Sequence, residues 1–165
     1  MKASKIKAVV KRHIQEVWPA LTADLNTSHI LEVPHSYQRD DHSCVACCLQ
    51  SLAAYYGVEV SRREAKMLVK CDEDGADFES VAPGLRSLGI PVRSRILKKK
   101  DVDGALSRGQ VILAADWRTY EEPHATLIIG YNDDGYWIMD PCLPYRKFIP
   151  TAEFRGFREF ISYKN

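Results

Sequence analysis

The chain has 165 residues, with 23 basic against 22 acidic side chains and a formal net charge of +1. Its 45% hydrophobic and 27% charged residues are the composition of one globular domain, which excludes a disordered chain. The near-neutral balance supplies no electrostatic footprint for nucleic acid, and no run approaches the roughly 20 apolar residues of a membrane span.

Residues 3 to 24 predict an amphipathic helix. Ile6, Val9, Val10, Ile14, Val17, Trp18 and Leu21 recur at helical spacing, while basic side chains take much of the other face. Such a helix docks on its own domain, recruits a partner, or lies on anionic lipid through Lys2, Lys5, Lys7, Lys11 and Arg12. Those same cations interrupt any secretory h-region. Residues 1–30 are therefore assigned to a helical extension and 31–165 to the main domain.

An extended stretch with Pro34 is expected from Ile30 to Tyr37. Ser43 to Tyr56 then predicts a helix, with Ser43 as N-cap, Gly57 as its stop, and a buried stripe of Val45, Cys48, Leu49, Leu52 and Tyr56. Ser61-Arg62-Arg63-Glu64 is a capping box for a short helix ending near Lys70. Asp77 is placed to cap a third helix that stops before Gly89 and is kinked or split by Pro83-Gly84. Ile90 to Leu97 alternates as a strand, and Asp101 to Ser107 predicts a helical turn or two.

The second half changes character. Strands are expected over Val111–Ala115, Ala125–Gly130, Tyr136–Met139, Arg146–Ile149 and Glu159–Tyr163, with a hairpin turn at Asn132-Asp133-Asp134-Gly135 and a helical turn near Thr151–Phe154. Helices first and an antiparallel sheet second is an α+β order.

Five cysteines cannot pair fully within one chain, and a domain of this size needs no disulfide framework. Reduced thiols and a cytoplasmic location are the expectation. Cys44 stands at the first helical position, where free N–H groups and the helix dipole favour a thiolate. His124 opens a core strand after a loop, where a general base is held rigidly. If the two strands around the Asn132–Gly135 turn pair, Asp140 returns beside His124 and can fix its tautomer. Gln38, preceding the nucleophile-bearing helix, can aim its amide NH₂ at an oxyanion together with the Cys44 N–H.

The run QRDDHSCVACCLQSLAAYYG, from Gln38 to Gly57, resembles the nucleophile segment of the bacteriocin-processing, double-glycine leader peptidases and their wider papain-like relatives. HATLIIGYNDDGYWIMDP, from His124 to Pro141, resembles that family's histidine strand, hairpin and Asp-Pro segment. The resemblance extends over roughly residues 33 to 163. It implies a papain-like fold and a thiol-dependent peptidase acting through an acyl-enzyme. Cys44 would be the nucleophile, His124 the base, Asp140 its orienter and Gln38 the oxyanion donor. The substrate would be a peptide or protein. The family usually has glycine directly after the nucleophile, often followed by proline. Here Val45 and Ala46 stand in those places, and a β-branched residue beside the nucleophile is expected to narrow the acyl site or alter the helix entry.

Other chemistry competes. An acyl- or aminoacyl-transferase uses the same acyl-enzyme, and a catalytically silent domain of this fold would bind a peptide without cutting it. Cys44, Cys47, Cys48, Cys71, Cys142 and His42 are potential zinc ligands, but the Cys44-x-x-Cys47 pair has no second well-spaced pair. No metal and no cofactor are therefore expected. Cys142 and Cys47 are candidates for a redox role; Cys44 and Cys48, one helical turn apart, are poorly disposed for a disulfide. Trp117, Arg118, Tyr120 and Glu121 should form a loop over the cleft. Asp40, Asp41 and His42 lie close enough in sequence to tune the Cys44 thiol. Lys98-Lys99-Lys100 reads as a solvated turn.

Overall fold

A computed structural model describes residues 29–117 and 123–164. The expected N-terminal helix, and Arg118, Tyr120 and Glu121, lie outside the described residues. The elements run β1 (His29–Ile30), α1 (Cys44–Tyr55), α2 (Arg62–Leu68), α3 (Val81–Ser87), β2 (Arg93–Leu97), α4 (Val102–Leu106), β3 (Ile112–Asp116), β4 (His124–Asn132), β5 (Gly135–Met139), β6 (Arg146–Pro150) and β7 (Phe157–Lys164). The helices-then-sheet order is the α+β arrangement expected from the pattern.

One seven-stranded antiparallel sheet carries the fold, in the order β2-β7-β3-β4-β5-β6, with β1 pairing to β4. Its helix-side face packs Leu113, Leu127, Ile129 and Met139 against Val45, Leu49 and Leu52 of α1, with Val81 and Leu85 of α3 beside them. The opposite face buries Ile112, Ala114, Ile128 and Ile138 under α4 and Phe154. Coverage on both faces explains why β3 is buried at every residue and shows no alternation. Fully burying a side chain such as Leu49 contributes about 2 kcal/mol. Among the described residues no helix is long and apolar enough to cross a membrane.

Local chemistry sets the boundaries. Ser61 Oγ accepts from the Glu64 N–H at 3.2 Å, as the capping box requires. Gly57 ends α1 at φ 81°, a conformation that glycine adopts without a Cβ penalty. Asn132 Oδ1 accepts from the N–H groups of Asp134 and Gly135, each at 3.0 Å, and closes the β4–β5 turn.

Several elements are shorter than expected. Pairing of the 30–37 stretch stops at Ile30, and Pro34 cannot donate to a ladder. The third helix divides into a 3-10 turn at Phe78–Ser80 followed by α3, which carries Pro83 within its first turn, where the missing N–H is harmless. Ser43 precedes α1 but its side chain makes no cap bond.

Candidate active site

Cys44 is the first residue of α1, and α1 packs directly on β4. The helix is apolar on its buried side, so Leu49, Leu52 and Ala53, all fully buried, fix its axis over the sheet. That packing delivers the Cys44 thiol to the start of β4, where the His124 side chain hydrogen-bonds with it. The N–H groups of Ala125 and Val45 also donate to the sulfur.

His124 and Asp140 are 6% and 8% exposed. Nε2 of His124 meets Asp140 Oδ1 at 2.7 Å, which leaves Nδ1 as the ring nitrogen open to Cys44. A β-bulge makes this meeting possible. Asn132 pairs with Gly135 and Gly130 with Trp137, but Ile128 pairs with Ile138, so Ile129 is an extra residue on β4. Carried on from Leu127 opposite Met139, this register sets Asp140 opposite Thr126, on the same face as His124. Without the extra residue, Asp140 would stand opposite Leu127 and face the other way.

Two further groups tie Asp140 down that sequence reasoning did not single out. The Cys142 N–H donates to Asp140 Oδ1 at 2.8 Å, and His35 Nε2 lies 3.2 Å from the Asp140 carbonyl oxygen. The first is an Asx turn, which the Asp-Pro-Cys sequence could have signalled. The second joins residues 105 apart and has no local signature. Gln38 is anchored in the same seam, its N–H donating to the Pro141 carbonyl at 2.8 Å. The Gln38 Oε1 is buried without a protein hydrogen-bond partner among the described residues.

The electrostatics separate Cys44 from the other thiols. Burial works against its thiolate, but the hydrogen bond and charge of His124 outweigh that and bring its pKa below the ordinary 9.0. Burial pushes the Cys47, Cys48 and Cys71 thiols up instead. Burial likewise opposes the His124 cation, but its hydrogen bonds with Asp140, Cys142 and Cys44 prevail and its pKa is pushed up to about 12. Asp140, despite burial, is held below its usual range by His124. His124 thus stands between a thiol whose ionisation it favours and a carboxylate that it helps to keep charged.

Asp40 does not face this centre. It is engaged by Lys66 Nζ at 2.7 Å, and His42 Nε2 lies 3.6 Å from its carboxylate. Trp117 is partly exposed, with the Arg158 guanidinium 5.8 Å from its ring centroid. A cavity of about 940 Å³ has Gly75 and Pro123, the neighbour of His124, in its wall, while Cys44, His124, Asp140 and Gln38 do not line it. Its other walls include Asp72, Asp77, Phe78 and Glu159. The six side chains weighed as zinc ligands are not gathered into one cluster among the described residues. Among the described residues, the one group of three potential ligands within an ion's reach is His124, Asp140 and Cys142.

The family model of the peptidase C39 family matches residues 32–158. The chain belongs to the peptidase C39 family. It is accordingly a cysteine peptidase, and the papain-like fold expected from the two motifs is the one observed. Solved structures with the same fold include a double glycine motif protease from an AMS/PCAT transporter in complex with the leader peptide. It has 21% identity and a TM-score of 0.66, over 82% of this chain and 93% of that one. A C39-like peptidase from Bacillus anthracis matches at 16% identity and TM-score 0.63, over 82% and 96% of the two chains. The peptidase domain of Streptococcus ComA, a bi-functional ABC transporter involved in a quorum sensing pathway, matches at 19% identity and TM-score 0.61, over 81% and 97%. No curated protein sequence matches the chain. This C39 peptidase keeps cysteine, histidine, aspartate and glutamine at the four positions where the motif resemblance expects them.

Proposed function

We propose that this C39 peptidase cleaves peptide bonds through a Cys44–His124–Asp140 triad and an acyl-enzyme. The observation that carries the reading is the contrast among thiols: Cys44 is lowered below its ordinary pKa by His124, whereas Cys47, Cys48 and Cys71 are raised. A thiolate is the nucleophilic form, and its partner imidazolium is the proton source that the leaving amine needs.

In this mechanism the Cys44 thiolate attacks the scissile carbonyl. The Gln38 Nε2–H and the Cys44 N–H donate to the oxyanion and stabilise it. His124 then gives its proton to the leaving amine, with Nε2 held to Asp140 so that Nδ1 keeps its aim. As a neutral base it next takes a proton from water, and the hydroxide so formed releases the acyl group and restores the thiolate.

The relative solved with its leader peptide supports a peptide leader as substrate class. Val45 stands where the family usually has glycine, and its β-branched side chain beside the nucleophile would narrow the acyl site. The test is digestion of a peptide library followed by mass spectrometry, with Cys44→Ala as control. Products bearing a new carboxyl terminus, absent with Cys44→Ala, are expected. Transfer of the acyl group to an added amine in preference to water would overturn hydrolysis.

A further inference from the structure

The mechanism leaves one side chain beside the triad without a task. Cys142 is exposed, two residues past the buried Asp140. β5 ends at Met139, and in the turn that follows, with the Leu143 N–H donating to the Asp140 carbonyl at 3.0 Å, the Cys142 side chain hydrogen-bonds with His124. The turn is pinned there by the Cys142 N–H on Asp140 Oδ1 at 2.8 Å. As a result, ligand atoms of His124, Asp140 and Cys142 all lie within 4.8 Å of one another. An imidazole nitrogen, a carboxylate oxygen and a thiolate sulfur are donors that a zinc-like ion accepts together.

We propose that His124, Asp140 and Cys142 form a binding site for a thiophilic divalent cation, Zn²⁺ being the best match, and that its occupation reversibly blocks the peptidase. The binding stands on geometry alone; the blockade rests on His124 serving as the catalytic proton carrier. A tetrahedral ion with bonds of about 2.0 Å to nitrogen and oxygen and about 2.3 Å to sulfur holds its donors roughly 3.3 to 3.8 Å apart. His124 Nε2 and Asp140 Oδ1, now at 2.7 Å, must part by about 1 Å or less. The exposed Cys142 side chain has the freedom to swing in, and the fourth position stays with solvent.

The ion takes the place of the proton that Nε2 shares with Asp140, and both that proton and the Cys142 thiol proton pass to solvent. The ring is then committed at both nitrogens, to the ion on Nε2 and to a proton on Nδ1. The Nδ1 proton then belongs to a neutral imidazole instead of an imidazolium and is too weakly acidic to be given to the leaving amine, and activity returns when the ion leaves.

Cys44 beside His124 could capture zinc by itself, so the test removes it. The full chain carrying Cys44→Ser is titrated with Co²⁺, followed by absorption, and with Zn²⁺, followed by calorimetry. A one-to-one complex with a sulfur-to-cobalt charge-transfer band is expected. Adding Cys142→Ser, or Cys142→Ala as a second variant, should abolish the band and weaken zinc binding at least tenfold. A band that persists without Cys142 would overturn the proposal by pointing to the remaining thiols. Zinc binding present in the unaltered protein but lost with Cys44→Ser alone would also overturn it, as ordinary capture by the reactive thiol. Neither titration needs turnover, so failure of this site and failure of the triad are read separately.

Discussion

His124 Nε2 and Asp140 Oδ1 meet at 2.7 Å across 16 residues of chain, and a single inserted residue, Ile129, puts them on the same face. The ring is thereby held by one nitrogen and presented by the other. Asp140 Oδ1 is itself fixed by the Cys142 N–H, so the pair is oriented from two sides.

Asp140→Asn keeps the shape of this contact but removes its charge. The asparagine amide can donate to Nε2 and hold the wrong tautomer, and the His124 cation loses its partner. A fall in kcat of roughly 10²- to 10⁴-fold is expected, with KM changed far less. Steady-state kinetics on a cleaved peptide measures it; an equal change confined to KM would place Asp140 in substrate binding instead.

The same pair makes stability depend on pH. Asp140 is held below its usual carboxyl range, so its contribution is present above about pH 4 and is lost as pH falls through the lowered value. His124 is raised to about 12, so its contribution is full below about pH 6.5 and declines as pH climbs toward that value. In His124→Ala the buried carboxylate stands unpaired, at a cost of about 3 kcal/mol. Urea midpoints for the two proteins should therefore differ most between about pH 4 and 6.5, and converge on either side. A gap that ignores pH would contradict the ion pair.

The nucleophile helix also depends on a glycine in its neighbour. A Cβ added at Gly84 of α3 would come 2.4 Å from Leu49 Cδ1 of α1 and 3.5 Å from Leu68 Cβ of α2. Leu49 is fully buried and has little room to yield. Gly84→Ala should destabilise the protein by about 1 to 3 kcal/mol by overpacking. Because α1 carries Cys44, peptidase activity of the folded fraction should fall as well. Chemical denaturation with parallel kinetics tests both; unchanged stability would show that the helices adjust freely.

Much of this was legible in the residues. Cys44 at a helix start, with Gly57 as the stop, and His124 opening a strand, follow from capping and periodicity; the Asn132–Gly135 hairpin follows from turn chemistry. What periodicity could not supply was the bulge at Ile129, since Leu127-Ile128-Ile129 is apolar on every residue and buried from both faces. The register, and so the face occupied by Asp140, was hidden there. Glu159, expected as the first residue of a strand, lies inside β7 with φ 54° at a second irregularity between β7 and β3 and lines the cavity. Nothing in its sequence neighbourhood asks for that conformation. His35 reaches Asp140 from 105 residues away, a contact only the fold creates.

The central claim is that His124 holds Cys44 as a reactive thiolate, and carbamidomethylation by iodoacetamide tests it most directly. Rates are followed from pH 5 to pH 10 by intact mass and peptide mapping, with and without His124→Ala. Cys44 should label first, with its titration midpoint below the ordinary thiol value, and His124→Ala should slow it and move the midpoint upward, because only the Ala125 and Val45 N–H groups then oppose burial. Labelling of Cys44 no faster than Cys47 or Cys48, at a rate indifferent to His124→Ala, would contradict the account.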